Sequence, residues 1–234
     1  MAGRIQFAAM TLTLMRSKPM YSWAMSILNP WDERYGTDEY VYGTEPNAFL
    51  RAEASRLRGS VDILCLAEGE GRNSTYLASL GHRVTGVDAS RKGIEKIQRL
   101  AAARGVVVNT VLANLMDYDL GDARYVVIVS IFAHLPREIS ATLRPRVVRA
   151  IREGGLFILE HYHPRQLDYK TGGPPDPTMM ATLAELYVDF DGWEILHAYE
   201  GERVVIEGKF HQGKAYVTQF VARKQVLSAR LEPS

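Results

Sequence analysis

Hydrophobic positions along this chain fall into short, nearly unbroken runs separated by amphipathic stretches of helical length. The clearest run is Val61 to Leu66. A continuous apolar run suits a strand buried on both faces of a parallel sheet. Comparable runs predict strands over 83–87, 106–112, 125–130 and 156–160, with Gly154 and Gly155 as a turn before the last. Between them the pattern predicts helices over 74–80, from a Ser90 cap to 104, and over 136–151, where Pro145 implies a kink or a break. Upstream, Asn47 can cap a helix over 48–57 that carries Phe49, Leu50, Ala54 and Leu57 on one face. Downstream, the glycine and proline run 172–177 is a loop and 182–190 a helix; 193–207 and 214–223 pair as antiparallel strands across 208–213. Strand and helix alternate, so the expected fold is α/β: a doubly wound, Rossmann-like sheet of seven strands ending in an antiparallel pair. The expected organisation is a leader over 1–30, one domain over 31–224 and a tail over 225–234.

Composition narrows the function. Hydrophobic residues make up 47% and charged residues 24%, which is globular and supports one sizeable core. With 28 Lys and Arg against 27 Asp and Glu there is no basic footprint for nucleic acid. A single cysteine, Cys65, excludes an intrachain disulfide framework and a four-thiolate zinc site. The charge is unevenly spread. Residues 1–31 hold no acid, three basic residues and five of the eight methionines, leaving a net charge of −2 for the remainder. The apolar stretch 5–15 is too short to span a bilayer. The leader therefore reads as a flexible or overextended start, or as a signal for import or export; a cytoplasmic domain is the expectation and organelle import or export the alternative.

The candidate chemistry lies where predicted strands end. Gly69 and Gly71 follow the first strand, where backbone N–H groups can approach a ligand. A dinucleotide site prefers a third glycine where Ser74 stands. Glu68 and Glu70 in the same turn suit a cationic or zwitterionic ligand better than a phosphate. Asp88 ends the second strand 19 residues after Gly69, where an acid can accept both hydroxyls of a ribose. Asn114 follows the third strand and can bond an adenine edge. His134 follows the fourth strand, and His161, Tyr162, His163 and Arg165 follow the fifth, again at carboxyl ends where open α/β sheets bind ligands. Arg165 can attract an anionic acceptor. His161 and His163 lack a third partner for a metal, so no metal site is expected. Glu207 and His211 flank the last hairpin, either gating a pocket or lying on surface turns.

Together these segments resemble a class I S-adenosylmethionine (SAM)-dependent methyltransferase. Leu66 to Asn73 resembles that family's first motif, Val87–Asp88 its ribose-binding acid, and Ala113 to Leu115 its adenine-side motif. Trp31 to Tyr35, Tyr42 to Asn47 and Tyr169 to Pro175 are similar to segments of the tellurite-resistance and thiopurine methyltransferase-like subgroup. The resemblance implies a SAM cofactor and methyl transfer to a small-molecule nucleophile, such as a thiol or a tellurium or selenium oxyanion. It also implies roles for residues. Glu68, Gly69 and Asn73 would hold the methionine end, Asp88 the ribose, and Ala89, Asn114 and Leu115 the adenine. Ser130 and Ile131 would lie beside the sulfonium, and Trp31, Tyr35 and Tyr42 would form a lid. His134, His161, Tyr162, His163 and Arg165 are the acceptor-side candidates, with His134, His161 and Arg165 the catalytic ones. The implied partner is a small-molecule acceptor, not nucleic acid or a membrane; oligomeric state is open. Cys65, Ala67 and Asn114 depart from the common pattern, which keeps a SAM-binding regulatory or catalytically retired protein as the alternative.

Overall fold

A computed structural model describes residues 29–226; the predicted leader falls almost wholly outside them, and so does most of the tail. The chain forms helix α1 (Pro30–Arg34), α2 (Ala48–Glu53), β1 (Asp62–Leu66), α3 (Arg72–Ser79), β2 (Arg83–Asp88), α4 (Arg91–Ala103), β3 (Val108–Leu112), β4 (Tyr125–Ile131), α5 (Arg137–Ala150), β5 (Ile151–Tyr162), α6 (Leu183–Asp189), β6 (Glu194–Glu207) and β7 (His211–Arg223). One seven-stranded sheet runs in the order β3-β2-β1-β4-β5-β7-β6. The first five strands are parallel, and β7 lies antiparallel between β5 and β6.

The apolar runs have a direct physical cause. Along β1, Ile63 and Cys65 pack on one face of the sheet with Leu77, Val84, Val129 and Ile158. Leu64 and Leu66 pack on the other with Ile128, Leu143, Val147 and Phe157. Both faces are covered, so alternation disappears from the sequence. Cys65 is buried, and that burial raises its thiol pKa well above the ordinary value.

Four boundaries differ from the sequence reading. The helix from Ala48 tightens into a 3-10 turn at Ala54–Arg56. Helix α5 passes through Pro145 without ending; that residue sits on the exposed side, where the carbonyl it leaves unpaired can meet water. Strand β5 begins at Ile151, opposite Tyr125, and its register jumps to Leu156 opposite Val127. The glycine pair is thus an irregularity inside the strand: a Cβ at Gly155 would lie 2.6 Å from the Val126 carbonyl. Strand β7 starts at His211, because the hairpin pairs down to Glu207 opposite His211.

The order reverses between β1 and β4, with β2 and β3 to one side and β4 and β5 to the other. Such a switch leaves a crevice at the strands' carboxyl ends.

Candidate active site

A cavity of about 570 Å³ occupies that crevice. Its wall includes twelve of the residues singled out from sequence: Trp31, Tyr35, Tyr42, Glu68, Gly69, Asn73, Asp88, Ala89, Asn114, Leu115, Ile131 and His134.

The turn after β1 explains much of the arrangement. Gly69 and Gly71 adopt φ of 65° and 95°. A Cβ at Gly71 would lie 2.8 Å from Ile97 Cα, and one at Gly93 would lie 2.6 Å from the Gly69 carbonyl. The glycines therefore let α4 close against the turn, and a Cβ at Gly69 would meet the Tyr35 hydroxyl at 2.9 Å. Asp88 is buried beside them. Its Oδ2 accepts the Gly69 N–H at 2.7 Å and its Oδ1 the Ser90 N–H at 2.8 Å. Burial raises its pKa, against the opposing pull of these hydrogen bonds. Each carboxylate oxygen still has a lone pair to offer a hydroxyl.

The two glutamates of the turn both line the cavity, and their carboxylates are engaged within the protein. Gly71, the residue before α3, supplies no side-chain cap. Glu68 takes that part instead, accepting the Ser74 N–H at 2.6 Å. Burial raises its carboxyl pKa to about 7 despite the Ser74 bonds and the nearby Arg72. Glu70 pairs with Lys96 at 2.6 Å, both side chains being at most 3% exposed, and accepts the Tyr42 N–H at 3.1 Å. Lys96 also donates to the Glu39 carbonyl at 2.6 Å. The pair fastens the 39–42 segment, and with it Tyr42, across the turn.

Helix α1 is held by the start of α4. Asp32 accepts from the Ser90 hydroxyl at 2.5 Å and the Lys92 N–H at 3.0 Å, and the Asn29 amide donates to the Ala89 carbonyl at 2.8 Å. That anchoring stacks Trp31 on Tyr35, centroids 5.7 Å apart, with the Arg34 guanidinium 5.2 Å from both the Trp31 and Phe210 rings. Tyr42 packs on His211 at 4.6 Å.

At the far end stand Phe132, His134 and His211, backed by Tyr162. Phe132 takes φ of 50°, and its ring lies 4.7 Å from Tyr162 and 4.6 Å from His211. His134 stacks on Tyr162 at 5.4 Å and its Nδ1 meets the Met179 carbonyl at 3.3 Å. Burial lowers the pKa of His134 to about 4 and of His211 to about 3; Arg72 adds to the latter. The imidazoles are therefore neutral near pH 7.

Five sequence candidates lie elsewhere. Ser130 and His161 bond each other at 3.0 Å and line a separate small void behind the wall. Burial also holds His161 neutral, its pKa well below the ordinary value. Tyr162 is fully buried behind Gly172 and Gly173. His163 accepts the Arg165 N–H and packs on Tyr216, and Arg165 is exposed over the same ring at 4.3 Å. His161 and His163 face different partners because His163 lies past the end of β5, where it caps the 3-10 turn Pro164–Asp168. Among the described residues no group of three or more His, Cys, Asp or Glu is placed to hold a metal.

The wall also contains residues that sequence reasoning did not assign to the site: Arg34, Arg72, Phe132, the Gly172–Pro175 loop and Phe210. Glu207 and His211 are buried, not surface turn residues. Arg72, Arg34 and Phe132 could have been suspected from their places beside Gly71, Tyr35 and Ile131; the Gly172–Pro175 loop and Phe210 arrive from distant segments.

Residues 63–155 match the family described as methyltransferase domain. No curated protein matches. Among solved structures, one from work on the conversion of a disulfide bond into a thioacetal group during echinomycin biosynthesis is 21% identical, with TM-score 0.64, over 83% of this chain and 88% of that one. TehB from Haemophilus influenzae is 22% identical with TM-score 0.65, over 83% of this chain and 66% of that one. A SAM-dependent methyltransferase from Methanosarcina mazei is 16% identical with TM-score 0.60, over 75% of this chain and 97% of that one.

Proposed function

We propose that this chain is a SAM-dependent methyltransferase, a reading its matched domain and its fold support, and that it transfers the methyl group to a small-molecule nucleophile that needs no protein base. The observation that carries the reading is the Asp88 carboxylate at the end of β2, locked by the Gly69 and Ser90 amides in a cavity wall. The cofactor fits the wall present. Asp88 has acceptor capacity for two ribose hydroxyls. Backbone at Glu68 and Gly69, with Asn73, is free of facing carboxylates at the methionine end, because Glu68 and Glu70 are engaged inward. Ala89, Asn114 and Leu115 flank the adenine side, and Ile131 with the Trp31, Tyr35 and Tyr42 rings supplies apolar and π surface for a cation.

When bound, SAM supplies a methyl group already activated on a sulfonium. The protein then has to position the acceptor and exclude water. Its own residues suit that part. Trp31, Tyr35, Tyr42, Phe210 and the Gly172–Pro175 loop all line the cavity, with Gly172 against the Phe210 carbonyl. His134 and His211, held neutral by burial, are weak bases and act as hydrogen-bond partners. A thiolate, intrinsically nucleophilic, or another soft, already deprotonated acceptor matches such a site. No helix among the described residues is long and apolar enough to cross a membrane.

Asp88→Ala should weaken SAM binding by about 1.5–3 kcal/mol through lost charge-assisted bonds. Calorimetric titration of SAM into the folded variant checks this; unchanged affinity would displace the ribose from Asp88. Labelled SAM with a panel of thiols, selenols and oxyanions then tests transfer. SAM binding without transfer to any of them would favour a catalytically retired protein.

A further inference from the structure

Among the described residues, six buried side-chain polar atoms lack a hydrogen-bond partner. Three belong to residues of the cavity wall: Arg72 Nη1, His134 Nε2 and His211 Nδ1. A fourth is the Tyr162 hydroxyl, directly behind the wall. Leaving one such atom unpaired costs about 1–3 kcal/mol, so protein interiors rarely tolerate several together. The aromatic contacts show that they are together. The His134 ring is 5.4 Å from Tyr162, and Tyr162 is 5.5 Å from His211. Arg72 is close enough to His211 to depress its protonation.

The charges around this corner are also uneven in a useful way. Glu207 binds Arg72 through one guanidinium nitrogen at 2.7 Å, and it is shared with Arg203 at 2.7 Å. Glu160 is tied to Arg203 at 2.6 Å and to Asn47. These buried acids are therefore spent on their own cations, and the second terminal nitrogen of Arg72 is left over. A guanidinium anchored on one side and free on the other is built to receive an oxyanion.

Resting on the methyltransferase reading, we propose that Arg72, with His134 and His211, forms an acceptor subsite for a carboxylate-bearing small molecule. The carboxylate takes the free Arg72 nitrogen and a hydrogen bond donated by His211 Nδ1; neutral His134, whose Nδ1–H donates to the Met179 carbonyl, keeps Nε2 as an acceptor for a thiol or hydroxyl of the same molecule. The flat faces of Phe132 and Tyr42 beside them cover the body of the acceptor.

The test uses a matched pair of probes, 3-mercaptopropionate and 3-mercaptopropionamide, titrated into the full chain with and without S-adenosylhomocysteine. The acid should bind about tenfold or more tighter than the amide, the scale of one charge-assisted bond. Arg72→Gln should erase the difference while leaving S-adenosylhomocysteine affinity within about twofold. Equal affinity of acid and amide for the unaltered protein, or no binding of the acid, would overturn the subsite without involving any variant. Arg72→Gln weakening S-adenosylhomocysteine while the acid's advantage persists would also overturn it, assigning Arg72 to the cofactor's own carboxylate. Absence of S-adenosylhomocysteine binding would instead defeat the methyltransferase reading, and the acid-to-amide ratio on the unloaded protein would still decide the subsite.

Discussion

Glu70→Ala should lower the unfolding free energy by about 3–5 kcal/mol, the usual cost of stranding one member of a buried ion pair. Lys96 would keep its charge in a place where its ammonium is 3% exposed and its remaining partner is the Glu39 carbonyl. The Tyr42 amide would lose its acceptor as well. The loss should reach the cavity, because this pair is what binds the 39–42 segment over the glycine turn. Urea denaturation at pH 7 gives the first quantity and SAM titration the second. The double variant Glu70→Gln with Lys96→Met should recover much of the stability, since it removes the unpaired charge and leaves an acceptor for Tyr42. A loss below about 1 kcal/mol for Glu70→Ala would mean that Lys96 finds water or another acid, and that the pair is not the fastening.

Glu70 also shows where sequence reading stopped. Periodicity revealed the fold because burial on both faces writes itself into a run such as Val61 to Leu66, and because caps such as Asn47 and Ser90 are local signals. The proposed cofactor residues follow the same logic: Gly69, Asp88 and Asn114 each lie at or just past the carboxyl end of a strand, and all three line the cavity. The direction of a side chain was not. Glu68 and Glu70 look like acids presented by a turn, and both fold inward, one to cap α3 and one to hold Lys96. His161, Tyr162, His163 and Arg165 lie close together in sequence, yet strand alternation parts His161 from Tyr162 and the turn after β5 carries His163 and Arg165 away, so that none is on the main cavity wall. Phe210 and His211 reach the site only because β7 returns antiparallel beside β5, a pairing that brings the last hairpin over Tyr42. Pro145 misled in the opposite sense: on a solvent-facing side the missing N–H is cheap enough for the helix to continue.

Glu68→Gln should stabilise the protein at pH 8 by up to about 3 kcal/mol and change little at pH 4.5. Burial sets the folded carboxyl near 7 against an ordinary 4.5. The folded state therefore binds this proton more tightly than the unfolded chain does. The sign follows: Glu68 costs nothing below about pH 4.5, and its cost grows as pH rises to about 7, then stays constant. Glutamine keeps a carbonyl oxygen for the Ser74 N–H and carries no charge, so the difference between variant and parent isolates this group from Asp88 and Glu160, whose raised pKa values add the same trend. Denaturant titrations of both proteins at pH 4.5, 6 and 8 measure it, and a difference that does not vary with pH would sink the assignment. Desolvation wins here although the acid sits at the start of α3 with an amide bond and a nearby arginine, all of which favour the charged form. The nearby Asp88 charge adds to that rise, and removing the Glu68 charge relieves the repulsion between the two acids. Glu68→Gln should therefore leave SAM affinity at pH 8 intact or improved, which separates the stability role of Glu68 from the cofactor role of Asp88.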